Sequence, residues 1–428
     1  MNYFLLQLGC ATNKSDAERI ASVLDSAGYA PVASAEEADL VGIVACSIRQ
    51  SAIDRVYDRI HKWNLQKKKR PLTTFVSGCI LEEDKKKFLK LFDIVLPLND
   101  VTQLPEYLRQ QGTSAGTAFW DIKPHHSSLF KALVPIQNGC NNFCTYCAVP
   151  YTRGREESRP SKDILQEVQT LLNNGYKQIT LLGQNVNSYG QDTDGQEISF
   201  AALLDLIGTM ADSARQHTWV YYTSPHPADM TQDVLKIQSK HRSLANYLNL
   251  PLQSGSDDVL NRMNRRYTAE EYFLILEDAH SILPDLTVST DFIVGFSGET
   301  DNEFQYSVDA LQRGAFDMAF IAQYSERPGA LAEKRFPDDI AKAVKKERER
   351  TLTSVLTMTA AAANEKLVGQ TIPALVETTS RKPGRLLART EGLKSVEFIS
   401  DDKKLIGEYV NLRVDSCDAW RLYGMLAG

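Results

Sequence analysis

GCNNFCTYCAVPYTRG, residues 139–154, places Cys140, Cys144 and Cys147 within eight positions of a chain that has only seven cysteines. Asn138, Asn141, Asn142 and Thr145 make the stretch a polar loop, so three thiols here do not suit burial as small apolar residues, the ordinary fate of a lone cysteine. A structural zinc ion is closed by four ligands and would need a partner such as His125 or His126. A catalytic thiol needs a base and leaves the third cysteine idle. A 4Fe-4S cubane is held by cysteine thiolates, ordinarily four. With three, one iron stays open to chelate a substrate or cofactor, and the absent fourth thiolate becomes the functional feature.

The surroundings of the loop set the fold. KALVPIQ precedes it as an apolar strand, and QITLLGQN, TWVYYTSP, NYLNLPLQS, LTVSTDFIVGF and FDMAFIAQYS follow, each separated from the next by an amphipathic helix. Such βα units over residues 123–363 predict a partial (β/α)6 barrel with its active site at the C-terminal mouth of the strands. A charged helix from about Asp338 to Leu367 leads out of it.

Upstream, residues 1–122 alternate strands and helices as a parallel α/β domain. Cys10, Cys46 and Cys79 each follow a predicted strand, and parallel strands present their C-terminal ends along one edge. Three thiols from separate segments are thus expected to converge. RQQGTSAGTAFWDIKPHHSS, residues 109–128, has the composition of a linker. Residues 364–428 read as short strands and turns, a small all-β barrel with basic residues Arg381, Lys382, Arg385, Arg389 and Lys394 in its first half. Cys417, inside one of those strands, reads as buried packing.

With 428 residues and 43% hydrophobic content the chain holds several cores. MNYFLLQLGC lacks the basic lead of a signal peptide, and no run reaches the ~20 apolar residues of a membrane span, so a cytoplasmic protein without a membrane partner is expected. In that compartment clustered cysteines bind metal or do redox chemistry rather than form disulfides. The net charge of −6 disfavours nucleic acid only on average, because binding depends on local patches. QKKKRP at 66–71 and DKKKF at 84–88 read as solvated helix faces.

The spacing C-x3-C-x2-C, with Tyr146 before the last cysteine, resembles the signature of the radical S-adenosylmethionine enzymes. Cys10, Cys46 and Cys79 resemble the cysteines that hold an auxiliary 4Fe-4S cluster in the methylthiotransferase branch, and the terminal module resembles its TRAM domain. CSIRQSA at 46–52, CTYCAVPYTRGREESRP at 144–160, LLGQNVNSYG at 181–190 and LQSGSDDVLNRMNRRYT at 252–268 are similar to the branch that modifies tRNA. VACS, FSGET and LLARTEGLKSVEF depart from the usual pattern without removing a metal ligand.

The resemblance implies two 4Fe-4S clusters, one on each set of three cysteines. It implies that a 5′-deoxyadenosyl radical removes hydrogen from carbon 2 of N6-dimethylallyladenosine at position 37 of a tRNA anticodon stem-loop. Methylthio then replaces that hydrogen, with two S-adenosylmethionine consumed. Sibling enzymes act on threonylcarbamoyladenosine or ribosomal protein S12. A radical is needed because no side-chain base removes such a hydrogen as a proton.

It also implies site residues. Tyr146 lies against the adenine of S-adenosylmethionine, and Gly183, Gln184 and Asn185 meet its methionine end. Gln253 and Ser254 approach the ribose, and Asp291 and Gly295 complete the cofactor set. Arg153 and Arg155 beside the cysteine loop, with Arg381, Lys382, Arg385 and Arg389, are the expected RNA contacts. A flavodoxin or ferredoxin would deliver electrons to a monomeric enzyme. Two readings from other classes stand beside it: an electron-transfer iron–sulfur protein, and a non-catalytic metal-stabilised RNA-binding protein.

Overall fold

A central strand of a parallel sheet must be apolar on both faces, and LVGIVAC meets that demand. In the computed structural model, which describes residues 1–47, 50–109 and 119–427, five strands form one sheet. They are β1 (Asn2–Gln7), β2 (Ala30–Pro31), β3 (Leu40–Cys46), β4 (Thr73–Cys79) and β5 (Ile94–Val95). Their order is β2-β1-β3-β4-β5, all parallel. Every residue of β3 is buried. Val41, Ile43 and Ala45 pack on Ile53, Val56, Ile60 and Trp63 of helix Gln50–Lys67. Leu40 and Val44 pack on Ile20 and Leu24 of helix Ala11–Ser26. Gly42 is required because a Cβ there would lie 2.1 Å from the Phe75 ring.

The chain divides into two compact units. The first comprises Met1–Ser128, Asn138–Arg159 and Arg327–Glu333, and the second Leu129–Gln137, Pro160–Glu326 and Lys334–Gly428. The cysteine loop therefore belongs to the unit built on the N-terminal sheet. Of the expected linker, residues 110–118 lie outside the described residues; beyond them Phe119 and Ile122 are buried in the core of the first unit. Ile48 and Arg49 of CSIRQSA also lie outside the described residues.

β6 (Lys131–Pro135) opens the second unit, and in the chain the short strands β7 (Gln137–Asn138) and β8 (Glu157–Ser158) flank the cysteine loop. Beyond them β9 (Gln178–Leu182) and β10 (Trp219–Tyr222) form a parallel sheet with β6, in the order β10-β9-β6. β11 (Tyr247–Asn249), β12 (Thr287–Val294) and β13 (Met318–Gln323) form a second. A parallel bridge from Val220 to Leu244 lies between the two sheets. This is the partial barrel expected from the sequence. Helix Lys342–Glu365 buries Lys345, Arg348, Leu352, Val355, Leu356, Ala360 and Asn364, the three-to-four spacing of one helical face. The C-terminal module is a closed barrel of β14 (Thr371–Thr379), β15 (Arg385–Thr390), β16 (Ser395–Ile399), β17 (Tyr409–Cys417) and β18 (Leu422–Leu426). Among the described residues no helix is long and apolar enough to cross a membrane.

Just past β12, Gly295 adopts φ +69°, and a Cβ there would come within 2.4 Å of Lys345. Its N–H donates to Glu299 Oε2 at 2.6 Å, and Arg348 Nη1 donates to the same oxygen at 2.8 Å. Glu299 is fully buried, and burial pushes its carboxyl pKa up against the opposing pull of these donors. Breaking a buried pair leaves an uncompensated charge, so Arg348→Met should cost about 3–5 kcal/mol. Denaturant unfolding checks this; a loss below about 1 kcal/mol would place the pair among those of little consequence.

Candidate functional site

The first cysteine set forms because three parallel strands end at one edge. Cys46 and Cys79 are register partners at the ends of β3 and β4. Gly9, at φ +116°, lets the β1 end approach, since a Cβ on it would lie 2.7 Å from Cys46 Cβ. Cys10 follows at the N-cap of helix Ala11–Ser26. The buried Asn13 joins the set: its Oδ1 lies 3.3 Å from Cys10 Sγ and 4.0 Å from Cys79 Sγ, while its Nδ2 donates to Ala45 O at 2.7 Å. Nothing in the local sequence marks Asn13. Burial pushes the Cys79 thiol up to about 12, against the Arg153 guanidinium.

The loop carrying the second set is a tight turn. A Cβ on Gly139, at φ +75°, would meet Arg155 O at 1.9 Å. Cys140 N–H donates to Gly154 O at 3.3 Å, Cys147 N–H to Cys144 O at 2.9 Å, and Val149 N–H to Cys147 Sγ at 3.5 Å. Backbone donors of this last kind are what tune iron–sulfur ligands. Ala332 N–H donates to Thr145 O at 2.8 Å, which ties Arg327–Glu333 to the loop. Tyr146 is half-buried, and the exposed Arg155 lies 4.4 Å over the Phe143 ring.

Among the described residues all seven cysteines are thiols, and no three Cys, His, Asp or Glu side chains form a cage for a metal ion. His125 Nδ1 lies 2.6 Å from Asp25, and His126 Nδ1 lies 3.6 Å from Glu18. The histidines that would close a zinc site are thus engaged with carboxylates of helix Ala11–Ser26. Two sets of three thiols, with an N–H already directed at one sulfur, fit iron–sulfur groups by their donor chemistry.

The second unit gathers polar groups at the C-terminal ends of β9 and β10. Gly183 packs so closely that a Cβ would lie 2.8 Å from Gln137 Oε1 and 2.9 Å from Val186. Among the described residues, both side-chain polar atoms of Gln184, Asn185 Oδ1 and His226 Nε2 are buried without hydrogen-bond partners. Each such orphan costs about 1–3 kcal/mol, so the group is built for something that completes it. Asn185 Nδ2 donates to Asp229 at 2.7 Å. Asn187 and His226 exchange two bonds, Nδ2–H to His226 O at 2.9 Å and His226 N–H to Asn187 Oδ1 at 2.8 Å. Burial, with the Arg265 and Arg266 cations, pushes the His226 pKa down to about 2, so the ring stays neutral at physiological pH. His226 and Asp229 were not anticipated; SPHP after an apolar strand was the signal available.

The other expected cofactor residues fall differently. Gln253 adopts φ +74° and exchanges backbone bonds with β12. Ser254 is fully buried, with its hydroxyl accepting from Ser256 N–H at 3.2 Å and lying 3.4 Å from Ser307 Oγ. That hydroxyl is committed to the turn. Asp291 accepts from Asn249 Nδ2 at 3.2 Å, and Gly295 serves the packing described above.

The expected RNA contacts divide as well. Arg153 is a correction: its side chain is 4% exposed and paired with Asp16, because a buried carboxylate and a sulfur compete for its guanidinium. In the C-terminal barrel Glu397, with a fully buried side chain, holds Arg385 at 3.2 Å, Arg421 at 2.7 Å and Lys382 at 3.7 Å. Arg389 pairs with Glu377 at 3.3 Å, and Lys394 with Asp317 at 2.7 Å. Arg381 is exposed. Cys417 is only half-buried, and its thiol donates to Glu365 at 3.3 Å, which corrects the expectation of buried packing.

Profiles of known families match three stretches of the chain. The Radical SAM superfamily matches residues 134–311, the uncharacterized protein family UPF0004 residues 2–97, and the TRAM domain residues 365–427. The tRNA-2-methylthio-N(6)-dimethylallyladenosine synthase of Thermoanaerobacter sp. (strain X514) is 35% identical over 99% of this chain and 92% of its own. That of Christiangramia forsetii is 34% identical over 98% of this chain and 93% of its own. The radical S-adenosylmethionine methyltransferase TsrM from Kitasatospora setae superposes with a TM-score of 0.55 at 12% identity, over 75% of this chain and 72% of that one, a likeness of fold.

Proposed function

This chain belongs to the radical S-adenosylmethionine family of tRNA-2-methylthio-N(6)-dimethylallyladenosine synthases, and on that premise we propose that it methylthiolates carbon 2 of N6-dimethylallyladenosine at position 37 of tRNA. The observation that carries the reading is that Cys10, Cys46, Cys79, Cys140, Cys144 and Cys147 form two sets of three within one compact unit. When bound, a 4Fe-4S cluster with an open iron supplies the electron that splits S-adenosylmethionine, and a second cluster supplies a site for sulfur. Cys140, Cys144 and Cys147 would hold the first, and Cys10, Cys46 and Cys79 the second.

The rest is the work of this chain's own groups. Gln184, Asn185 and the neutral His226 offer both donors and acceptors to the methionine end of the cofactor, and Tyr146 offers its ring to the adenine. Gln253, Ser254, Asp291 and Gly295 shape the neighbouring strand ends. Hydrogen bonds to charged groups contribute about 1.5–3 kcal/mol, so Gln184→Ala should weaken S-adenosylmethionine binding roughly 10- to 100-fold. Equilibrium binding to the anaerobically reconstituted protein measures it, and an unchanged affinity would remove Gln184 from the site.

The splayed bases of an anticodon loop suit a protein that must reach the edge of one adenine. Arg155 and Arg381 are the exposed cations for that contact, with Lys382, Arg385 and Arg389 partly neutralised by Glu397 and Glu377. Arg381→Ala should lower the slope of log affinity against log salt by about one. An identical slope in the variant would mean that Arg381 meets no phosphate. We place the protein in the cytoplasm as a monomer that takes electrons from a flavodoxin or ferredoxin.

The substrate test uses unmodified, dimethylallyl-modified and threonylcarbamoyl-modified anticodon stem-loops with ribosomal protein S12 as a fourth arm. Mass spectrometry should find methylthio product on the dimethylallyl stem-loop alone. Product on another arm would assign the chain to a sibling activity.

A further inference from the structure

Arg153 follows the last cysteine of the 140–147 loop by six residues, yet it contacts the other cysteine set. Its Nε donates to Cys79 Sγ at 2.9 Å, Nη2 to Asp16 Oδ2 at 2.5 Å and Nη1 to Asn138 Oδ1 at 3.1 Å. The side chains of Arg153 and Asp16 are 4% and 3% exposed. A guanidinium so buried needs its charge paired and its donors used, and the planar fork satisfies a carboxylate, an amide and a sulfur at once. Asp16 lies on helix Ala11–Ser26, which also carries Asn13 and begins directly after Cys10. The guanidinium is therefore fixed by the element that presents the first thiol.

We infer that Arg153 is a positioning residue: its Nε–H holds the Cys79 sulfur, joins the 140–147 loop to the first cysteine set, and raises the reduction potential of the iron–sulfur group held there. The physical reason is charge. Reduction adds negative charge to the group, and a buried cation donating to a ligand sulfur stabilises the reduced form more than the oxidised one. A partner of a metal ligand also fixes that ligand's orientation. The inference rests on the reading of Cys10, Cys46 and Cys79 as cluster ligands.

The test uses the full chain with Cys140, Cys144 and Cys147 replaced by alanine, reconstituted anaerobically so that one set of ligands remains. Iron analysis should give about four irons per chain if that group is a cubane. A redox titration followed by electron paramagnetic resonance then compares this background with Arg153→Lys and with Arg153→Met/Asp16→Asn, the double change leaving no unpaired buried carboxylate. The midpoint should move to more negative values in both and further in the double variant, with lysine recovering part of the shift. Iron retained at an unchanged midpoint in both variants would overturn the inference, because a residue that serves folding alone leaves the potential where it was. Absence of iron from the background protein would instead overturn the ligand reading. Circular dichroism checks folding, and Arg153→Lys, which keeps a cation beside Asp16, decides the matter if the double variant unfolds.

Discussion

Replacing Cys144 by alanine should abolish cleavage of S-adenosylmethionine to the level seen without protein, and reduce bound iron from about eight to about four per chain. The effect is expected to be complete because the loop set has no spare ligand. Cys140, Cys144 and Cys147 are the only cysteines in residues 138–159, and His125 and His126 are engaged with Asp25 and Glu18. The remaining iron should belong to Cys10, Cys46 and Cys79. Anaerobic iron and sulfide analysis beside a 5′-deoxyadenosine assay makes the measurement. A variant that still cleaves the cofactor would remove the loop from the chemistry.

The Cys46→Ala variant should show the opposite pattern. S-Adenosylmethionine cleavage should persist while methylthiolated product falls by more than about 100-fold, beyond the 10- to 100-fold typical of partners that only orient a ligand. Cys46 ends the central strand β3, is itself buried and is the register partner of Cys79. Chromatography of the stem-loop product, with 5′-deoxyadenosine measured in the same reaction, separates the two activities. Product formed at the wild-type rate would dissociate the N-terminal set from sulfur insertion.

Much of this was legible where the signal is local. LVGIVAC reads as a doubly buried strand because strand position and apolar run coincide, and the ends of β1, β3 and β4 bring Cys10, Cys46 and Cys79 to one edge by topology alone. GQN at 183–185 was readable as the end of a barrel strand. What escaped the sequence depends on contacts far apart in the chain. Arg153 meets Cys79 and Asp16 across 74 and 137 residues, and no local pattern separates such an arginine from one that meets RNA. His226 and Asp229 meet Asn187 and Asn185 only because β9 and β10 are neighbours. The basic half of the terminal barrel is partly offset for a related reason: Glu397 lies in SVEFI between two core residues, and its buried carboxylate collects Arg385 of β15 and Arg421, which precedes β18. Counting cations along a sequence does not subtract the acids that the fold sets against them.

The most direct measurement is electron–nuclear double resonance on the reduced, anaerobically reconstituted protein with S-adenosylmethionine labelled with nitrogen-15 at its amino group. The account predicts coupling between that nitrogen and the iron held by Cys140, Cys144 and Cys147, absent in Cys144→Ala. A spectrum unchanged by the labelled cofactor, from a centre already saturated by protein side chains, would contradict it.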